Sequence, residues 1–155
     1  MSQQKPPKIF KRIKSKVKKL ITTHKTRNPF EIAKNLNINI EYKPYSPYTK
    51  GYFIKALRNK FIVINSNLDE HSQNIVMAHE LGHAILHSSQ NICFIREHTL
   101  FPTGILENEA NRFAAELLIP DFNIKEYMGY TVEQIASIKK VHPELIRLKF
   151  FEYFL

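Results

Sequence analysis

A chain of 155 residues is expected to form one domain with one real core. Its 11 Phe and 7 Tyr exclude a disordered chain, and it has no apolar run of the ~18 residues that a bilayer-spanning helix needs. The net charge of +9 is uneven: residues 1–27 hold 10 Lys/Arg and no acid, whereas the remaining 128 hold 13 Lys/Arg against 14 Asp/Glu.

Cys93 is the only cysteine. No intrachain disulfide can form and a cysteine-rich zinc site is excluded, which suits a reducing cytosol. Nothing beside Cys93 offers a base or a helix N-terminus, so it reads as a small buried side chain rather than a nucleophile. The basic N-terminus lacks both the apolar stretch and the small-residue cleavage site of a secretory signal. The protein is expected in the cytoplasm.

Residues 1–8 form a lead containing Pro6 and Pro7. From there Ile9, Ile13, Val17, Leu20 and Ile21 recur at helical spacing, with Lys on the other faces. The first reading of this basic amphipathic helix is a terminal helix docked by its apolar stripe with its Lys face in water. Weak contact with nucleic acid, or with a partner already on DNA, is the second; attachment to a membrane surface is the third and is not expected to operate. Residues 1–27 are accordingly set apart as a basic segment. Residues 28–155 are taken as one compact domain, with the helices of 122–155 packed on it.

Asn28-Pro29-Phe30-Glu31 is a helix start, with Asn28 as cap and Pro29 in the first turn; the helix should end near Asn37. Ile38, Ile40 and Tyr42 alternate as a strand. After a Pro-rich loop, strands are expected at 51–57 and 60–65, joined through Arg58-Asn59 with Asn59 at positive φ. In the second of these, Phe61 and Val63 share one face and Ile62 and Ile64 the other, so both faces should be covered. Asn67, with Glu70 three residues on, is the expected cap of a helix from about Asp69 to His87. Residues 88–104 read as irregular. A further helix should run from about Ile105 to Leu118 and stop at Pro120. Asp121 is expected to cap a short helix to Met128, Thr131-Val132-Glu133-Gln134 is a capping box, and Pro143 opens the last helix.

Inside the central helix, His79-Glu80-Leu81-Gly82-His83 is an H-E-x-x-H motif. Residues four apart lie on one helical face, so both imidazoles can reach one metal ion. Glu80 can reach a water that the metal activates and serve as its general base. With 7 His and 12 Glu in the chain, random order gives roughly 0.02 such motifs. The apolar flanks Ile75, Val76, Ala78, Leu81, Gly82, Ile85 and Leu86 suggest a helix buried on more than one side.

A catalytic zinc usually has three protein ligands. His87 lies about 12 Å from His79 on a straight helix, so one ion cannot bind both ends of that row. The third ligand should come from the next helix, where Glu107 lies beside the stripe formed by Ala110, Phe113, Ala114 and Leu117. Asn111 could then bond a ligand imidazole and fix its tautomer. Glu109 is the weaker alternative, because it points about 160° away around the helix. Glu109 and Glu116 are otherwise read as solvated surface residues.

HELGH followed by Glu107-Asn108-Glu109-Ala110-Asn111-Arg112-Phe113-Ala114-Ala115-Glu116-Leu117-Leu118-Ile119-Pro120 resembles the ImmA/IrrE-type metallopeptidases. The likeness extends over about residues 29–120 and to Thr131–Ala136. It implies an α+β, mainly helical, zincin-like minimal metallopeptidase domain with a small three-stranded sheet packed on the active-site helix. It also implies a gluzincin-like Zn2+ site with His79, His83 and Glu107 as ligands and Glu80 as base. Several members of this family cleave a helix-turn-helix repressor encoded nearby on a mobile element or prophage, and others act in stress response; the resemblance thus implies an anti-repressor role here. The Lys-rich start departs from the family pattern.

Hydrolysis also needs a donor for the developing oxyanion. Tyr127, Tyr130, His142 and Arg147 are available, and the sequence does not choose among them. Two other functions compete with a zinc endopeptidase. One is a regulatory protein that grips a repressor or DNA around a structural or vestigial zinc site; the intact Glu80 argues against it. The other is a zinc hydrolase acting on nucleic acid, which the near-neutral remainder of the chain weakens.

Overall fold

The computed structural model describes residues 8–88 and 99–154. The lead before Lys8, Cys93 and most of the expected irregular connection 88–104 lie outside the described residues. The fold is α+β and mainly helical, with one three-stranded sheet, as the sequence suggests.

Helix α1 (Lys8–His24) lies against the core. Ile13 and Val17 are 1% and 2% exposed, while Lys8, Lys11, Arg12, Lys18 and Lys19 face solvent. This is the docked arrangement that the Ile/Leu stripe suggests. Helix α2 (Pro29–Asn35) starts where Phe30 N–H donates to Asn28 Oδ1 at 2.9 Å. It closes at Leu36, and Asn37 takes a φ of 57°, which Asn tolerates better than most residues.

Strands β1 (Asn39–Lys43), β2 (Gly51–Ala56) and β3 (Asn59–Asn65) form a mixed sheet in the order β1-β3-β2. β1 runs parallel to β3 and β2 antiparallel to it. Ile62, Val63 and Ile64 of the central strand are all buried, so both of its faces are covered. The hairpin differs from expectation by one step. Ala56 pairs with Asn59, which places Asn59 in the strand; the turn is Leu57-Arg58, and Leu57 carries the positive φ of 57°. Pairing register outweighs local preference here, at a cost of about 1–2 kcal/mol for a left-handed non-glycine residue.

Helix α3 (Glu70–Leu86) is capped by Asp69, not Asn67: Ser72 N–H donates to Asp69 Oδ1 at 2.8 Å. Asn67 is drawn elsewhere, donating to the Tyr45 carbonyl and, through its backbone, to Asn65. Every residue from Ile75 to Ala84 is buried, because the sheet lies on one side of α3 and helix α4 (Ile105–Leu118) on another. At Gly51 a Cβ would stand 2.7 Å from Val76 Cγ1, so the sheet approaches the helix over a residue without a side chain.

Beyond α4, a short 3-10 helix (Ile124–Tyr127) is capped by Asn123 rather than Asp121. Asp121 pairs instead with Lys149 at 2.8 Å. Helix α5 (Val132–Lys139) has the expected Thr131–Gln134 capping box, and α6 (Pro143–Lys149) opens at Pro143. Leu145 and Ile146 of α6 join Ile75, Ala115, Ile119 and Ile135 in a second apolar cluster. Glu116 is not a solvated residue. It is 4% exposed and accepts from Arg112 Nε at 3.2 Å and Lys149 Nζ at 3.3 Å. Arg27 donates to the carbonyls of Glu116, Leu117 and Ile119, filling acceptors that the end of α4 leaves open.

Because α1 contributes to the core, Ile13→Ala should destabilise the protein by about 2–5 kcal/mol in urea unfolding. No change would show that α1 is not part of the cooperative unit.

Candidate metal centre

One turn of α3 separates His79 from His83 and aims both rings the same way. Their Nε2 atoms stand 3.1 Å apart. From the first turn of α4, Glu107 brings Oε2 to 2.9 Å from His79 Nε2 and 3.3 Å from His83 Nε2. The potential ligand atoms of these three side chains all lie within 4.8 Å of one another. Glu80 occupies the same turn of α3 as His79 and is buried.

The outer nitrogen of His79 decides how its ring is protonated. Asn111 Nδ2 donates to the Pro102 carbonyl at 2.8 Å, and a carbonyl can only accept. The amide oxygen of Asn111 therefore faces His79 Nδ1, 2.8 Å away, and Nδ1 carries the hydrogen. That leaves a lone pair on Nε2, directed at the cluster.

The donor set fits a metal ion. Ligands about 2.0–2.1 Å from a tetrahedral zinc stand about 3.3–3.4 Å apart, close to the spacing of these atoms. Two imidazole lone pairs and a carboxylate at such distances repel one another unless a proton or a cation lies among them. With no ion among them, the two rings can instead be protonated at Nε2: burial alone would raise the carboxyl of Glu107, but hydrogen bonds and charge from protonated His79 and His83 outweigh it and hold Glu107 well below the usual carboxylate range.

Two further residues enter that sequence reasoning had set aside. His87 does not share the cluster, as the 12 Å argument requires. Its Nδ1 stands 2.9 Å from His83 Nδ1, and its Nε2 stands 2.9 Å from Glu109 Oε2. Glu109 is thus not a solvated residue; it points away from the cluster but towards the end of α3, where His87 awaits it. Burial pulls His87 below the usual imidazole range, against the opposing hydrogen bond of Glu109. The i, i+4 spacing of His83 and His87 was the available signal, weighed only for ligation.

The C-terminal candidates for an oxyanion donor have other engagements. Arg147 pairs with Glu133 and Glu144 on the surface. His142 Nδ1 accepts from Glu144 N–H as the cap of α6, and its ring packs on Phe101. Tyr127 packs edge-on against Phe122 and Tyr130.

Residues 33–150 match peptidase family M78, the IrrE N-terminal-like domain. The chain belongs to this metallopeptidase family. It is 43% identical over 139 residues to "Uncharacterized immunity region protein 2" of Bacillus phage phi105, covering 88% of each chain. It is 36% identical over 133 residues to "Metallopeptidase ImmA" of Bacillus subtilis (strain 168), covering 82% of this chain and 77% of the relative. No solved structure matches. The matched span of this M78 chain includes His79, Glu80, His83, Glu107 and Asn111, and α1 precedes it.

Calorimetric titration with Zn2+ should show a single ion bound per chain, with affinity falling as the pH drops below about 6.5, because imidazoles must shed protons to ligate. Glu107→Ala should weaken binding by more than the roughly 10–100-fold typical of losing an outer hydrogen-bond partner.

Proposed function

We propose that this protein is a zinc-dependent endopeptidase that cuts a helix-turn-helix repressor encoded beside it, in the cytoplasm, as an anti-repressor of a mobile element or prophage. The observation that carries the chemistry is the convergence of His79, His83 and Glu107, with Glu80 on the same helical turn. The two relatives, one named for a phage immunity region and one named a metallopeptidase, support the biological setting. Two nitrogens and one carboxylate oxygen suit zinc.

When bound, zinc would polarise the scissile carbonyl and make a water acidic enough to react near neutral pH. His79, His83 and Glu107 would hold it. Glu80 takes a proton from the water as its oxygen attacks the carbonyl carbon, and returns that proton to the amide nitrogen as the C–N bond breaks. The products are a new carboxyl terminus and a new amine. Asn111 keeps His79 in the tautomer that ligates, and the buried surroundings of α3 keep both imidazoles from turning.

The exposed Lys8, Lys11, Arg12, Lys18 and Lys19 lie opposite the buried Ile13 and Val17 of α1. This stripe suits weak contact with phosphates, which would let the enzyme meet a repressor on its DNA.

Co-expression with the neighbouring helix-turn-helix protein tests the main reading. The wild type should cut it at one site. Glu80→Gln should cut about 10²–10⁴ times more slowly while keeping its zinc. An intact partner that co-purifies with both forms would instead indicate a regulatory binding protein. For the stripe, Ala at Lys11, Lys18 and Lys19 should reduce the salt dependence of DNA binding by about 0.9 in log–log slope per lost phosphate contact. An unchanged slope would remove α1 from any such contact.

A further inference from the structure

We propose that His87 and Glu109 act as positioning residues for the metal centre, setting the tautomer of His83 through a directed chain of hydrogen bonds. The inference rests on the metal reading above and adds two residues to it. Its starting point is Glu109, whose carboxylate can only accept. His87 Nε2, 2.9 Å from Glu109 Oε2, must therefore carry a hydrogen and donate it. A neutral His87 then has its lone pair on Nδ1. His83 Nδ1, 2.9 Å from that atom, must be the donor of the next bond. With its hydrogen on Nδ1, His83 presents a lone pair on Nε2, at the cluster with Glu107 and His79. Each bond in the chain fixes the direction of the next, from a carboxylate on α4 to a ligand nitrogen on α3.

The two imidazoles at the cluster are thus held by different means. His79 is oriented by a neutral amide that leans on the Pro102 carbonyl. His83 is oriented through a second imidazole that ends on a carboxylate. A carboxylate behind a ligand imidazole makes the imidazole a stronger electron donor, so His83 should bind the ion more tightly than His79 does. Burial supports a fixed arrangement: the side chains of His83 and His87 are 9% and 2% exposed. The chain also joins the last turn of α3 to the first turns of α4, the pair of helices that must stay in register for Glu107 to reach both rings.

The test uses the full-length protein stripped of metal, Zn2+ titrated in competition with a chromophoric chelator, and the visible spectrum of the Co2+ form. Glu109→Gln is nearly isosteric, lies at the surface side of the chain, and keeps an acceptor for His87 while losing the charge. His87→Leu removes both bonds. His87→Gln can still accept from His83 and donate to Glu109. We expect Zn2+ affinity to fall about 10–100-fold in His87→Leu, by a smaller factor in Glu109→Gln, and to recover in part in His87→Gln. The Co2+ bands should shift in the same order, with the thermal midpoint of the metal-free Glu109→Gln protein unchanged. Wild-type affinity and spectrum in both Glu109→Gln and His87→Leu would overturn the proposal and leave the metal centre standing. A folded wild-type protein that takes up neither ion would overturn both.

Discussion

The spacing between α3 and α4 governs everything else in this molecule. Gly82 sits in the middle of the motif, and the Phe113 ring packs where its side chain would be. A Cβ there would meet Phe113 Cδ1 at 3.1 Å and Phe113 Cβ and Cγ at 3.2 Å. Phe113 is fully buried, so it has little room to retreat. Glycine inside a helix costs roughly 1 kcal/mol relative to alanine. That cost is offset by the approach it permits, because Glu107 is six residues before Phe113 and must span the gap to both imidazoles with one short side chain.

Helix α4 carries charge at both ends, for different reasons. Near its start, Glu107 meets His79 and His83, whose outer nitrogens face Asn111 and His87. Near its end, Arg112, Glu116 and Lys149 form a buried cluster of fixed charges. Buried ions are expensive to desolvate and repay that cost only when fully paired. Glu116 accepts from both cations, and Lys149 also reaches Ile119 and Asp121. The first group could hold a metal ion. The second satisfies itself.

Much of this was legible beforehand, and the misses have a common cause. Periodicity alone places Ile13 and Val17 against a core, and helical angles place Glu107 and Asn111 beside the apolar stripe of their own helix. These are properties of one helix. Asn67 and Asp69 both qualify as caps by composition; the Tyr45 carbonyl, twenty-two residues upstream of Asn67, claims the first and leaves the second. Leu57 bears the positive φ because pairing with β3 sets where the hairpin turns. Glu116 looks like any surface glutamate until Lys149 arrives from α6. Glu109 reads from sequence as a weaker ligand candidate or a solvated residue, and His87 as too far from His79 to share an ion with it, yet the two meet one another. The sheet order likewise depends on partners that local patterns do not name.

The C-terminal end of α4 is held by residues from well before and well after it. Arg27 covers its last carbonyls, and Lys149 neutralises Glu116 from the far side. None of these three side chains is part of the cluster at the other end of the helix. Removing any one of them would leave a buried charge or open carbonyls without a partner at that end, so a variant there would fail by losing its fold, with no candidate ligand atom touched.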